Sequence, residues 1–96
     1  MLEVQQTDVF AAWFGGLADR PARARITARI RRLSLGNPGD VKPVGRGVSE
    51  MRIDYGPGYR VYFVGRGAAV TVLLCGGDKR SQDRDIARAL ELAREV

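Results

Sequence analysis

The stretch Val48-Ser49-Glu50-Met51-Arg52-Ile53-Asp54-Tyr55-Gly56-Pro57-Gly58-Tyr59-Arg60-Val61-Tyr62-Phe63-Val64 decides how the chain folds. Apolar and polar residues alternate on both sides of Gly56-Pro57-Gly58, the period of a half-buried strand, and Tyr55–Gly58 has the composition of a turn. The segment therefore predicts two antiparallel strands, Val48–Asp54 and Tyr59–Val64. In the first, Met51 and Ile53 take one face and Glu50, Arg52 and Asp54 the other. In the second, Tyr59, Val61 and Phe63 lie opposite Arg60 and Tyr62. A connecting loop of odd length places both apolar sets under the same cover, so that Glu50, Arg52, Arg60 and Tyr62 converge on the remaining, open face. A loop of even length sets Arg60 against Ile53 and breaks the cluster. A cross-strand ladder of Glu and Arg with no further role satisfies the same pattern.

Working toward the C-terminus, Gly65-Arg66-Gly67 is a turn and Ala69–Cys75 is apolar but for Thr71, as a central strand would be. Gly76-Gly77-Asp78-Lys79 reads as a loop without the spacing of a nucleotide-phosphate motif. Ser81 then caps a helix reaching Glu95, with Asp83 and Asp85 favourably placed in its first turn and Ile86, Ala89, Leu90 and Ala93 on its buried face. Toward the N-terminus, Val41–Gly45 is an edge strand, because Pro43 has no N–H to give to a ladder. Gly36-Asn37-Pro38-Gly39 ends a helix that starts at the cap Asp19 with Pro21 in its first turn and buries Ala22, Ile26, Ile30 and Leu33. A shorter helix capped by Thr7 buries Phe10, Trp13, Phe14 and Leu17 and weakens at Gly15-Gly16. Leu2–Gln6 is a short strand that can join an edge of the sheet or lie parallel to a later strand. The order β-α-α-β-β-β-α predicts an α+β fold: a mostly antiparallel, four- to five-stranded sheet carrying its helices, an N-terminal hairpin and a C-terminal helix, on one face. Residues 1–96 are expected to form a single domain.

The composition narrows the chemistry. The chain has no histidine, which removes the commonest general base and metal ligand and every Ser-His or Cys-His pair. Its one cysteine, Cys75, leaves no disulfide framework and no multi-cysteine zinc site, and its place at the end of an apolar strand suits a buried thiol. Neither a metal nor a cofactor is expected. The apolar runs are too short for a membrane span and the first residues lack a signal-peptide pattern, so a cytoplasmic location is expected. Sixteen Lys and Arg against eleven Asp and Glu give a net charge of +5, which suits a polyanionic partner or an acidic protein. Arg20 to Gly39 holds six arginines, Arg29 and Arg32 among them, and no acidic residue. Such a run is either a solvated helix face or a surface for phosphates or an acidic partner. Trp13 falls on an apolar helix face, as a core residue or interface anchor does. Lys79 and Arg80 are expected at the end of the sheet near a helix N-terminus, which itself attracts anions.

Several segments together, Gly36–Gly45, Gly47–Ile53, Tyr55–Phe63 and Leu73–Lys79 with Gln82, Asp83 and Asp85-Ile86, resemble the RelE/ParE toxin superfamily. Within it they are most similar to the HigB-like addiction module killer proteins related to phage Gp49-like proteins. The resemblance spans about Phe10 to Ala93. It implies the toxin of a type II toxin–antitoxin module, neutralised by a cognate antitoxin of helix-turn-helix type and touching operator DNA only through it. RelE-like and HigB-like members are metal-independent endoribonucleases that cleave mRNA on the ribosome and so arrest translation; ParE-like members inhibit DNA gyrase without hydrolysis. By this resemblance Arg60 matches a scissile-phosphate arginine, Arg52 a basic position on the preceding strand, and Lys79 or Arg80 a basic position after the last strand. Lys79, crowded by Arg52 and Arg60, is the first candidate for proton transfer, and Glu50 and Tyr62 are the weaker candidates for general base or acid. Lys42, Arg46, Arg80, Arg29 and Arg32 are the expected RNA contacts. The chain departs from the family where a tyrosine commonly follows the arginine by three residues, since Phe63 stands there, and in ending on a helix rather than a catalytic His or Tyr.

Overall fold

A computed structural model describes all residues, Met1–Val96. The elements are β1 (Glu3–Gln6), α1 (Asp8–Gly15), α2 (Arg20–Ser34), β2 (Val41–Gly45), β3 (Val48–Arg52), β4 (Arg60–Arg66), β5 (Val70–Gly77), a 3-10 turn (Lys79–Ser81) and α3 (Gln82–Ala93). The strands form one mixed sheet in the order β1-β5-β4-β3-β2. The fold is α+β, with the helical hairpin and mostly antiparallel sheet that the sequence predicts. β1 takes an edge, parallel to β5, and β2 takes the other edge with Pro43 in it. No helix is long and apolar enough to cross a membrane.

The helix starts follow local chemistry. The Thr7 hydroxyl accepts from the Phe10 N–H at 3.0 Å and donates to the Leu74 carbonyl at 2.6 Å, so one residue caps α1 and ties it to β5. Asp19 accepts from the Ala22 N–H at 3.1 Å and caps α2. Ser81 stands at the start of α3 but gives it no side-chain cap. Its hydroxyl donates instead to Asp85, and Asp78 caps the 3-10 turn by accepting from the Arg80 N–H at 2.9 Å.

β3 and β4 pair in the register that joins the charged residues: Glu50 opposes Tyr62 and Arg52 opposes Arg60. The Ile53 N–H donates to the Tyr59 carbonyl at 2.9 Å and closes a five-residue, hence odd, loop over Asp54–Gly58. The expectation that helices cover a single face does not hold. α1 and α2 bury one side of the sheet through Phe10, Ile26, Leu33, Met51, Ile53, Val61 and Leu73. α3 covers the other, packing Ala89, Leu92 and Ala93 on Val48, Tyr62, Val64, Val72 and Leu74. The physical reason lies in β5: a strand apolar on both faces needs a cover on both. The predicted open face is thus closed over most of its length, and only its Arg52–Arg60 end emerges beyond the start of α3.

Gly76 and Gly77 belong to β5, opposite Val61 and Arg60, rather than to a loop. Each is glycine for want of space. A Cβ at Gly76 would overlap the six-membered ring of Trp13, and one at Gly77 would overlap the Asp85 carboxylate and Ser81 hydroxyl. Trp13 is accordingly a packing residue, edge-on to Tyr59 and tilted against Phe10 with ring centroids 6.4 and 5.8 Å away.

Cys75 is buried at 3% exposure, and burial, with Asp85 as a smaller contribution, pushes its thiol up to about 12. A thiol this hard to ionise is inert near neutral pH. Native protein is expected not to react with Ellman's reagent, and unfolded protein to release its single thiol completely. Fast modification of native protein would show that α3 lifts off β5 in solution.

Candidate functional site: a cationic cleft at the end of the sheet

Where β3 and β4 run past the start of α3, a cleft of about 290 Å³ opens between Asp40, Arg52, Ile53, Asp54, Gly58, Arg60 and Lys79. It gathers the three cations singled out in the sequence, from three different elements. Arg52 is the last residue of β3 and Arg60 the first of β4, paired across the hairpin. Lys79 opens the 3-10 turn, held over the hairpin loop by its N–H to the Pro57 carbonyl at 3.4 Å.

Each cation is restrained differently. Arg52 is half-exposed and makes an ion pair with Asp40 through its Nη2 at 2.7 Å and its Nε at 3.2 Å. The hydrogen bond to Arg52 holds the Asp40 carboxyl below the usual carboxylate range. The pair is therefore intact at neutral pH and is lost only as pH falls through that lowered value. Arg60 is nearly enclosed, its side chain 12% exposed. Its Nη1 donates to the Gly58 carbonyl, and its Nε lies 3.9 Å from the Glu50 carboxylate. Lys79 is exposed and takes part in no ion pair. Gly58 sits at φ +78, in the left-handed region that favours glycine, and a Cβ there would lie 2.6 Å from Arg60 Nη1.

Beneath Arg60 lies a polar cluster under α3. Glu50 is 1% exposed and accepts from the Tyr62 hydroxyl and from Gln82 Nε2, both at 2.9 Å. Burial first, then the bond to Glu50, raises the Tyr62 pKa, so the hydroxyl stays protonated as a donor. Tyr62 is itself 0% exposed. Glu50 and Tyr62, expected on an open face as base and acid, are thus enclosed, because α3 packs on the residues that flank them in β3 and β4.

The expected RNA contacts divide. Arg32 is exposed, in a shallow groove with Arg25, Arg29 and Asp54 that continues into the cleft through Ile53 and Asp54. Arg80 is exposed on the other side of the cleft, in a depression with Lys79, Gln82 and Arg84. Lys42 is exposed on the edge strand β2, opposite Glu50. Arg46 is at the tip of the β2–β3 turn in the left-handed region, φ 53, at the far end of the sheet from the cleft. Arg29 is committed to backbone, donating to the carbonyls of Arg52 at 2.6 Å, Pro38 at 3.1 Å and Asp40 at 3.2 Å. It locks α2 to the strand ends that carry Arg52 and Asp40. Arg23 is similarly occupied, bonding the Phe14 and Leu17 carbonyls and lying over the Phe14 ring, and Arg25 lies over Tyr55. Half of the α2 arginines thus do structural work, and Arg20, Arg31 and Arg32 remain directed to solvent.

The sequence gives Asp40 and Gln82 no role beyond their places in the resemblance, and Asp54 a place in the strand pattern but no role. Asp40 could not be found from spacing, since its partner Arg52 is 12 residues away. Asp54 carried a signal: it continues the Glu50–Arg52 alternation. No three Asp, Glu or Cys side chains converge as a metal ion would need.

Replacing Asp40 by Asn frees Arg52 and removes a negative charge from the cleft rim. Asp40→Asn is expected to bind a short single-stranded RNA about two- to fivefold more tightly at low salt, the gain shrinking as salt rises. Fluorescence anisotropy across a salt series reads this directly. Weaker binding would show instead that Asp40 holds Arg52 in its working position.

The fold and cleft define a small α+β protein in which Arg52, Arg60 and Lys79 converge at the open end of the sheet. The chain belongs to the family described as phage derived protein Gp49-like (DUF891), whose model matches residues 12–95, a family associated with toxins of toxin–antitoxin modules. An uncharacterized protein of Haemophilus influenzae (strain ATCC 51907 / DSM 11121 / KW20 / Rd) is 46% identical over 95 residues, covering 99% of this chain and 96% of that one.

Proposed function

We propose that the chain is the toxin of a type II toxin–antitoxin module and acts as a ribosome-dependent mRNA endoribonuclease in the cytoplasm, held inactive by a cognate helix-turn-helix antitoxin. The observation that carries this reading is the convergence of Arg52, Arg60 and Lys79 on one cleft that also exposes a carboxylate, Asp54. Cleavage of RNA by its own 2′-hydroxyl has simple needs. The 2′ proton must go to a base, the 2′ oxygen bonds to phosphorus, and the 5′ oxygen leaves with a proton, giving a 2′,3′-cyclic phosphate. Cations around the five-coordinate phosphate supply the electrostatic stabilisation that is usually the largest contribution. Arg52 and Arg60 fill that role, and the grooves carrying Arg32 on one side and Arg80 on the other extend the path for the strand. With Glu50 and Tyr62 enclosed, Asp54 becomes the base and Lys79 the acid of this scheme.

The burial of Glu50 and Tyr62 also favours a second reading, in which the cleft binds without hydrolysis and the chain inhibits DNA gyrase as ParE-like proteins do. Brief induction followed by mapping of mRNA 5′ ends separates the two. New ends within translated codons, dependent on Arg60, support the endoribonuclease. Growth arrest with intact mRNA and a DNA-damage response would move the assignment to gyrase.

A further inference from the structure

Arg60 Nε is buried and has no hydrogen-bond partner, the one such side-chain atom in the protein. Three groups converge on the space beside it. The Glu50 carboxylate is 3.9 Å away, and the same Glu50 oxygen accepts from Tyr62 and from Gln82. Tyr62 and Gln82 thereby prevent that carboxylate from swinging onto the guanidinium in a closed, bidentate pair. On its other side, the guanidinium is anchored by Nη1 to the Gly58 carbonyl. Held from two sides, with Glu50 near its Nε rather than in a closed bidentate pair, Arg60 lines the cleft.

We infer that Glu50, Tyr62 and Gln82 form a cradle that positions Arg60 for an anionic substrate, with Gln82, the first residue of α3, as its adjustable member. The inference rests on the endoribonuclease reading for its effect on rate, but not for its effect on Arg60 itself. None of the three touches substrate; they are positioning residues. Gln82 matters most because it is partly exposed and reaches Glu50 from the first residue of α3, the element that closes the sheet.

The test uses the full chain and four variants: Glu50→Gln, Tyr62→Phe, Gln82→Leu and, as a control, Leu90→Ala, which loosens the packing of α3 without touching the cradle. The first readout is the Arg60 Nε–Hε signal in a ¹H–¹⁵N spectrum. In the wild type it is expected as a resolved signal protected from solvent exchange. Glu50→Gln and Gln82→Leu should shift it and remove the protection, and Leu90→Ala should not. The second readout is cleavage on programmed ribosomes, where the cradle variants should lose about 10- to 100-fold in kcat with KM nearly unchanged, the cost of misplacing a catalytic group. An Arg60 signal indifferent to Glu50→Gln and Gln82→Leu, or changed as much by Leu90→Ala, overturns the inference. If the signal responds as expected but the wild type cleaves nothing, the cradle stands and the endoribonuclease reading falls.

Discussion

Arg60→Ala is expected to abolish RNA cleavage and to destabilise the protein together, and Arg60→Lys to separate the two effects. Removing one preorganised donor aimed at a charged transition state costs about 10²–10³ in rate. The same substitution leaves Glu50, 1% exposed, without its neighbouring cation, and an unpaired buried carboxylate costs about 3 kcal/mol or more. Loss of activity in Arg60→Ala alone therefore says little about chemistry. Lysine keeps the positive charge near Glu50 but not the planar fork that spans two phosphate oxygens. Arg60→Lys should melt close to the wild type and still lose most of its cleavage. Thermal unfolding run beside 5′-end mapping checks both halves. A stable, fully active Arg60→Ala would remove Arg60 from the site and its pairing with Glu50 from the fold.

Gly76→Ala is expected to destabilise the protein strongly. The glycine has ordinary negative-φ strand geometry, so space decides its cost and not backbone strain. The new Cβ would occupy the position of the Trp13 ring, which is packed against Phe10 and Tyr59 and cannot swing away freely. Overpacking of this kind costs about 1–3 kcal/mol, and the rigid aromatic neighbour places this case toward the upper end. Trp13 is the chain's only tryptophan, so its displacement should also appear as a red shift in emission. Gly65→Ala is the matched control: nothing stands within 4 Å of its Cβ, and stability should be nearly unchanged. Equal melting temperatures for the two variants would show that Trp13 does not rest on the sheet at this point.

Much of the architecture was legible in local pattern. The alternation on either side of Gly56-Pro57-Gly58 predicted the β3–β4 hairpin, and the parity argument foresaw that an odd loop joins Glu50, Arg52, Arg60 and Tyr62. Thr7 and Asp19 announced the helix starts through their capping chemistry. Pro43 announced an edge. The places where sequence reasoning failed share a cause. Ser81 precedes a helix, the place of a cap, but its hydroxyl is claimed by Asp85 one turn later. Gly76-Gly77 looked like a loop because glycine is common in loops, whereas here Trp13, Ser81 and Asp85 leave no room for a side chain. Arg29 looked like one more solvent-facing arginine until its three backbone carbonyls, brought in from the α2–β2 loop and the end of β3, were in place.

The sequence by itself determined which residues share a face of a strand or helix, because that depends only on backbone periodicity within the element. It also determined the positive charge of the chain and the absence of histidine from any site. Only the tertiary structure decided which face is covered and where it stays open. α3 lies across the strand face that carries Glu50 and Tyr62, turning two candidate acid–base groups into the buried support of Arg60. The same strands extend one residue pair past the helix and leave Arg52 and Arg60 at the rim of a cleft. That division is set by where α3 begins relative to the ends of β3 and β4, as in the Gln82–Glu50 contact between residues 32 apart in the chain, which no local pattern encodes.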